Sequence, residues 1–417
     1  MLKLLSKDVN EFTSQLDEIA RLGAKKMLAY ALDQEVSDYI DKHSQEVNEK
    51  GHKQVVRNGY GKDRKLQLGA GTINIKAPRV DDKREGEKFT SQILPPYFRK
   101  SPNVENLIPI LYLRGLSTND FREALKCILG DSADGLSPAS IVALKKRWEK
   151  DWDEWRKRPI DDDYVYIWAD GVNVNVRIGE DKKICLLVVI GVNTRGEKHL
   201  LAVEDGYRES KDSWLCLMND LIARGFKAPA LAIADGALGF WSAIREIEEF
   251  KDIKEQRCWV HKIGNILNKL PKRLQPQVKQ YLHDMMYAEN KASANLVKKQ
   301  FDLLLKDKYE KAYECLEKDW HKMTTFFNFP ACHWKNVRTT NPIESAFSTV
   351  KLRTKSTRGA GSVTAAKTMA FKLLVEAEKR WKKLGGIEDL TNIKNGLAYK
   401  DGSRIYTESE NQGATAM

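Results

Sequence analysis

Asp170 and Asp235 each close an apolar run, "YVYIWAD" and "APALAIAD", and each is followed by glycine. Such runs read as buried strands. In open α/β sheets, ligands bind just beyond the carboxyl ends of the strands. Two carboxylates meeting there in a basic protein suit Mg²⁺, which takes a few carboxylates and completes its octahedron with water and phosphate oxygens. A pair of such ions performs in-line displacement at phosphorus, and a site of that kind wants a third carboxylate. The competing reading is plain turn chemistry, because Asp-Gly commonly follows a strand.

Glu344 is the candidate for the third position. It lies in "RTTNPIESAFS", ahead of a stretch from Ser345 to Val375 that holds six Lys or Arg and no Asp or Glu. Two roles are open to it. With Asn341 as N-cap and Pro342 at N1, Glu344 occupies N3 and completes a capping box. A side chain in the first turn of a helix can also project toward a neighbouring sheet edge. Lys351, Arg353, Lys355 and Arg358 behind it suit a phosphate backbone. Cys258 and His261 stand in a C-x₂-H spacing and, with Cys332-His333, offer the donors of a zinc site; their wide separation favours a packed core instead. Trp259, Trp320 and Trp334 could stack on an unpaired base or simply fill a core.

These residues need elements to hold them. The chain has 417 residues, is 42% hydrophobic and 31% charged, and carries a net charge of +12. That basic excess favours polyanions, nucleic acid first. No apolar run approaches the length of a membrane span, and "MLKLLSKDVNEF" is too short and too quickly polar for a signal peptide. Six scattered cysteines fit reduced thiols in the cytosol better than a disulfide frame.

Residues 8–42 predict a helix with an apolar stripe through Phe12, Leu16, Ile19, Ala20, Leu22, Met27, Leu28, Ala31 and Leu32. "KLQLGAGTINIKAPRV" predicts a hairpin, and prolines 95, 96 and 102 mark a linker. From 104 the chain turns helical. "GLSTNDFREALKCILG" and "SPASIVALKKRWEKDWDEW" resemble a helix-turn-helix, with Lys145, Lys146 and Arg147 on the second helix suited to DNA; the alternative is an ordinary helical hairpin. After "DDD" at 161–163 the period becomes two. The order β-β-β-α-β-α-β follows, a mixed sheet with helices on its faces. In it, "YVYIWAD" and "VNVNVRI" count as separate strands. Residues 262–335 read as nearly all helix, and two more helices follow.

The chain resembles the bacterial Mutator-like insertion-sequence transposases, DDE enzymes with an RNase H-like core. The carriers of the resemblance are "RNGYGK", "APR", "GLST", "ADG" at 169–171, "ADGALGFWSAI" at 234–244, "RCWVHK" at 257–262 and "TTNPIESAFSTVKLRT" at 339–354. It implies a metal-binding catalytic triad of Asp170, Asp235 and Glu344 with two Mg²⁺, for which Mn²⁺ can substitute. About 109 residues separate Asp235 from Glu344, and the family places an all-helical insertion there. Arg177 matches the family's "DG-x-x-x-x-x-R" spacing. His261 is implied to lie on the DNA side, with Cys258 behind it.

The expected organisation is an α+β multidomain chain. An N-terminal helical and hairpin region spans 1–103 and a helix-turn-helix-like DNA-binding domain 104–160. The RNase H-like core takes 161–261 and 336–398, interrupted by the 262–335 insertion, and a flexible tail spans 399–417. The implied activity is Mg²⁺-dependent DNA cleavage and strand transfer at terminal inverted repeats, by a homodimer on double-stranded DNA, in the bacterial cytoplasm at the nucleoid and away from any membrane. Its rivals are an RNase H-fold nuclease without strand transfer and a catalytically idle DNA-binding regulator. A two-carboxylate glycosidase is disfavoured by the charge.

Overall fold

The structure is a computed structural model that describes residues 2–86, 88–113, 138–177, 183–206, 208–236, 238–356 and 359–406. The chain divides into two compact units, Met1–Leu144 and Lys145–Met417. The expected first helix of the helix-turn-helix, and Arg358, lie outside the described residues.

In the first unit, helix α1 (Leu2–Lys42) precedes strands β1 (Val55–Tyr60), β2 (Arg64–Leu68), β3 (Gly71–Ile75) and β4 (Pro78–Asp82), followed by α2 (Pro102–Leu113). β2 and β3 form the expected hairpin, turning between Leu68 and its partner Gly71, while β1 pairs with β4 outside it. Leu32, Leu66, Ile73, Ile75 and Leu94 make the small core. Of the apolar stripe of α1 from Leu16 on, only the later part is buried. Leu32 and Val36 are covered, whereas Leu16, Ile19, Leu22 and Met27 are exposed, because the hairpin covers only the end of the helix.

The second unit is built on a five-stranded sheet of order β7-β6-β5-β8-β9. β5 (Tyr164–Asn175), β6 (Lys183–Asn193) and β7 (Lys198–Gly206) form an antiparallel meander; β8 (Leu231–Ala234) joins β5 in parallel, and β9 (Lys254–Arg257) joins β8 in parallel. The two runs expected as separate strands are one strand, β5. Asp170 therefore sits within a strand, not at its end. The Gly171 backbone continues the ladder opposite Leu187 instead of turning.

Helices α4 (Lys211–Ala223) and α5 (Leu238–Glu246) cover one face, burying Trp214, Leu217, Met218, Phe240 and Trp241 against Ile167, Ala169, Leu187 and Ala234. Each of these large side chains stabilises the fold by about 1.5–3 kcal/mol on burial. α4 starts where Ser210 Oγ accepts the Ser213 N–H, and it stops before Gly225, whose φ of +101 suits a residue without Cβ.

Alternate residues of a strand face opposite ways, so Tyr166, Trp168 and Asp170 look away from that helical layer. The Tyr166 hydroxyl bonds His333 Nδ1 at 2.8 Å and the Trp168 indole N–H donates to the Asn336 carbonyl at 3.2 Å. This second face is closed by the C-terminal helices α12 (Asn341–Ser356), which packs on β5, and α13 (Val363–Glu378), which packs on β7.

Helix α3 (Pro138–Arg156) ends against the sheet edge. The Trp152 indole N–H donates to Val203 O at 3.3 Å, and Lys372 Nζ pairs with Asp151 at 2.5 Å. The end of the expected DNA-reading helix is thus part of the packing of the second unit, while Lys146 and Arg147 are exposed and Lys145 is half-buried.

From Trp259 to Val337 every element is helical, as the pattern predicts: α6 (Trp259–Leu267), α7 (Gln275–Met286), α8 (Lys291–Leu305), α9 (Glu310–Glu317), the single turns α10 (Trp320–Met323) and α11 (Trp334–Val337), and short 3₁₀ turns. Polar ties hold this segment together and to β9. Buried Lys262 pairs with Asp319 and donates to the Cys315 carbonyl at 3.0 Å, and the Trp259 and Gln256 side chains both donate to Met323 O, at 2.8 and 3.1 Å. Trp259 is fully buried and Trp334 packs on Phe326 and Phe327. Trp320 donates to Asn295 Oδ1 at 3.0 Å. Trp259 thus takes the core reading, while Trp320 and Trp334 are half-buried.

Residues 399–406 of the expected flexible tail are structured, and 407–417 lie outside the described residues. After α14 (Ile387–Lys394), β10 (Tyr399–Lys400) pairs with β11 (Ser403–Arg404), and the Tyr399 hydroxyl donates to Asp389 at 2.7 Å.

Candidate active site

The register of three parallel strands sets the site. Ala169 pairs with Ala234, and Ala234 with Arg257. The next residues, Asp170, Asp235 and Cys258, therefore stand in a row on β5, beyond β8 and beyond β9. Ala169 and Ala234 both face the α4–α5 layer, so Asp170 and Asp235 face the C-terminal helices. The Asp235 backbone is anchored: its carbonyl accepts the Trp241 indole N–H at 2.8 Å and Arg257 Nη1 at 3.3 Å.

Glu344 comes to this row from the first turn of α12. It does not act as the acceptor of a capping box, since the Asn341 N–H is taken by Thr339 Oγ1 at 3.4 Å. Its Oε1 instead accepts the Thr340 hydroxyl at 2.5 Å and lies 3.7 Å from His261 Nδ1.

His261 links the groups electrostatically. Its pKa is raised to about 9, first by its hydrogen bond with Cys258, then by the charges of Cys258, Glu344 and Asp235, against the opposing effect of burial. Asp170 is pushed up to about 7, by burial first and then by the charge of Asp235; the Gly171 N–H, 2.8 Å from Oδ1, and His261 pull the other way.

A fourth carboxylate, Glu209, belongs to this group and was not foreseen. It sits in the loop between β7 and α4, and burial followed by the charge of Asp235 raises its pKa. A Cβ on Gly171 would lie 2.4 Å from Glu209 Oε1, and one on Gly239 would lie 1.9 Å from the Glu209 carbonyl. These two glycines, in "ADG" and "ADGALGF", make room for it. They were the available signal, but nothing in the local sequence of Glu209 ties it to them.

The donor set suits a hard divalent cation. It is made of carboxylates, the ligand type that Mg²⁺ and Mn²⁺ prefer, and the mutual charge of Asp170 and Asp235 is what such a cation relieves. A softer set, Cys258, His261 and Glu344, has ligand atoms within 4.8 Å of one another, but the Thr340 hydroxyl bridges all three. The four zinc donors considered from sequence fall into two separate groups. Cys332 and His333 join Asp389, where both His333 nitrogens are in use, Nδ1 with Tyr166 and Nε2 with the Gly385 and Gly386 carbonyls at 3.0 and 3.2 Å.

Of the basic residues, Lys351 and Lys355 are exposed. Arg353 is 2% exposed and is part of the packing of α12, so it offers no face to a phosphate here. Arg177 joins strand to loop through its backbone, its N–H donating to Ala360 O at 2.8 Å, and its side chain is exposed. A cavity of about 440 Å³ opens at the start of α12. Lys198, Lys335, Arg338, Arg380 and Lys382 line it together with Tyr287 and Trp381.

Comparison with known proteins gives one answer. Residues 1–384 match the family described as Transposase, Mutator family. The transposase for insertion sequence element IS6120 of Mycolicibacterium smegmatis is 43% identical over 300 residues, 72% of this chain and 92% of that protein. That for IST2 of Acidithiobacillus ferrooxidans is 43% identical over 282 residues, 67% of this chain and 95% of that protein. That for IS905 of Lactococcus lactis is 27% identical over 299 residues, 72% and 74% of the two chains.

Proposed function

The chain belongs to the Mutator family of transposases, and from that premise we propose that it is a DDE-type DNA transposase with an RNase H-like core, cutting element ends and joining them to new DNA. The observation that carries this reading is the register of β5 and β8, which sets Asp170 and Asp235 side by side facing the helix of Glu344. The meander of three antiparallel strands followed by two parallel ones supports the RNase H-like assignment.

Asp170, Asp235 and Glu344 would hold Mg²⁺, and Mn²⁺ in its place. When bound, the cation supplies positive charge for the attacking and leaving oxygens of a phosphodiester. The chain's own groups do the rest. The strand register fixes the spacing of the two aspartates, so little reorganisation is needed when a phosphodiester arrives. His261 adds positive charge beside Glu344. Glu209 closes the acidic cluster on the Gly171 side. The basic cavity at the start of α12 positions the DNA backbone, with Lys351 and Lys355 further along the same helix. Terminal inverted repeats are read by the N-terminal part and α3, and two ends are held by two copies of the chain.

The test is to incubate the protein with labelled element ends, Mg²⁺ and a plasmid, and to sequence any junctions. Joined products support the transposase; cleaved ends without junctions make it a nuclease; intact DNA with bound protein makes it a regulator.

A further inference from the structure

We propose that Thr340 is the positioning residue for Glu344: its buried hydroxyl, seated on Cys258 and His261, engages one carboxylate oxygen and fixes where the side chain stands at the end of the sheet. This rests on the reading of Glu344 as a member of the acidic triad.

Thr340 Oγ1 lies 2.5 Å from Glu344 Oε1, 3.1 Å from Cys258 Sγ and 3.4 Å from His261 Nδ1, and the Thr340 N–H lies 3.3 Å from the same sulfur. A threonine hydroxyl has one proton and two lone pairs. The shortest contact is to the carboxylate, so the proton goes there. The sulfur accepts the Thr340 N–H and lies against Oγ1. His261 Nδ1 faces the remaining lone pair. The shortest of these contacts ends on Oε1. Among the described residues no hydrogen bond reaches Oε2.

Thr340 at 0% and Cys258 at 1% exposure are shielded from water, while His261 and Glu344 are half-buried. The backbone repeats the tie, because the Glu344 N–H donates to the Thr340 carbonyl at 3.0 Å. Cys258 is the strand-end neighbour of Asp235, so the chain Cys258–Thr340–Glu344 carries the register of the sheet to the carboxylate on the helix.

The experiment follows cleavage of a labelled linear DNA bearing the element end across a Mg²⁺ titration, with DNA binding in EDTA measured in parallel. A hydrogen bond to a charged group is worth enough that Thr340→Val should slow cleavage about 10- to 100-fold. It should also raise the Mg²⁺ needed for half-maximal rate, with DNA affinity unchanged. Thr340→Ser should restore both, and Cys258→Ala should fall between. Cleavage by Thr340→Val at the parental rate and Mg²⁺ dependence overturns the proposal, as does a loss in Thr340→Ser equal to that in Thr340→Val. If Thr340→Val does not fold, Cys258→Ala against Cys258→Ser carries the same test. Glu344→Gln run alongside separates the two levels: if it cuts normally the triad reading fails, and if it alone is inactive only the positioning role fails.

Discussion

Ala169 and Ala234 are paired across two parallel strands with their side chains in the α4–α5 core, so the aspartates that follow them leave the sheet together on the opposite face. The charge of Asp235 raises the cost of charge on Asp170.

Asp170→Ala, Asp235→Ala and Glu344→Ala should each abolish cleavage while leaving binding of the element end intact. Gel-resolved cleavage and a binding titration on the same fragment check both halves. Residual cutting by any one of them removes that residue from the triad.

The raised pKa of Asp170, about 7, fixes the sign of a pH effect. A carboxyl whose folded-state pKa lies above its unfolded value stabilises the fold at low pH, and that contribution is lost as pH rises through 7. Mg²⁺ binds the ionised form, so its gain in melting temperature should be larger at pH 8 than at pH 6, with proton release on binding. Calorimetry in buffers of different ionisation enthalpy reads the release, and Asp170→Asn should remove it.

His261 runs on a different window. Its pKa is raised from 6.5 to about 9, so the stability it contributes is fully present below 6.5 and is lost as pH rises through 9. His261→Gln should flatten the fall in stability over that interval, measured by denaturant midpoints at fixed ionic strength. An unchanged slope would remove His261 from its charge partners.

Lys335 and Arg380 are exposed on the basic cavity. Replacing both with alanine should weaken DNA binding and lower the slope of log K against log salt by about two, at roughly 0.9 per phosphate contact. A parental slope would place the DNA elsewhere.

The glycines around Glu209 should rank. Gly239→Ala brings Cβ to 1.9 Å from a backbone carbonyl, while Gly171→Ala meets a side chain that can turn away. Thermal unfolding should show the larger loss for Gly239→Ala. Gly171→Ala should affect cleavage more than stability, because it displaces a carboxylate of the cluster.

The strands and the helical stretch after β9 could be read because apolar period is a local signal. What failed was non-local. The break expected after Asp170 rested on Asp-Gly as a turn, whereas the ladder to Leu187 holds Gly171 extended. Arg353 looked like its neighbours Lys351 and Lys355, but only the helix face decides which of them is covered. Glu209 joins the cluster through a loop whose path is set by glycines on two other elements. The apolar stripe of α1 promised a partner along its whole length, and the hairpin reaches only part of it.

Glu344 lies beyond the whole helical stretch that separates β9 from α12. During synthesis the sheet and its first helical layer emerge from the ribosome well before Glu344 does. On the proposed function, a chain stopped early, by a nonsense codon or a frameshift, would carry the parts proposed to grip DNA without Glu344. Such a product would compete with full-length protein for element ends, so premature termination would tend to restrain transposition.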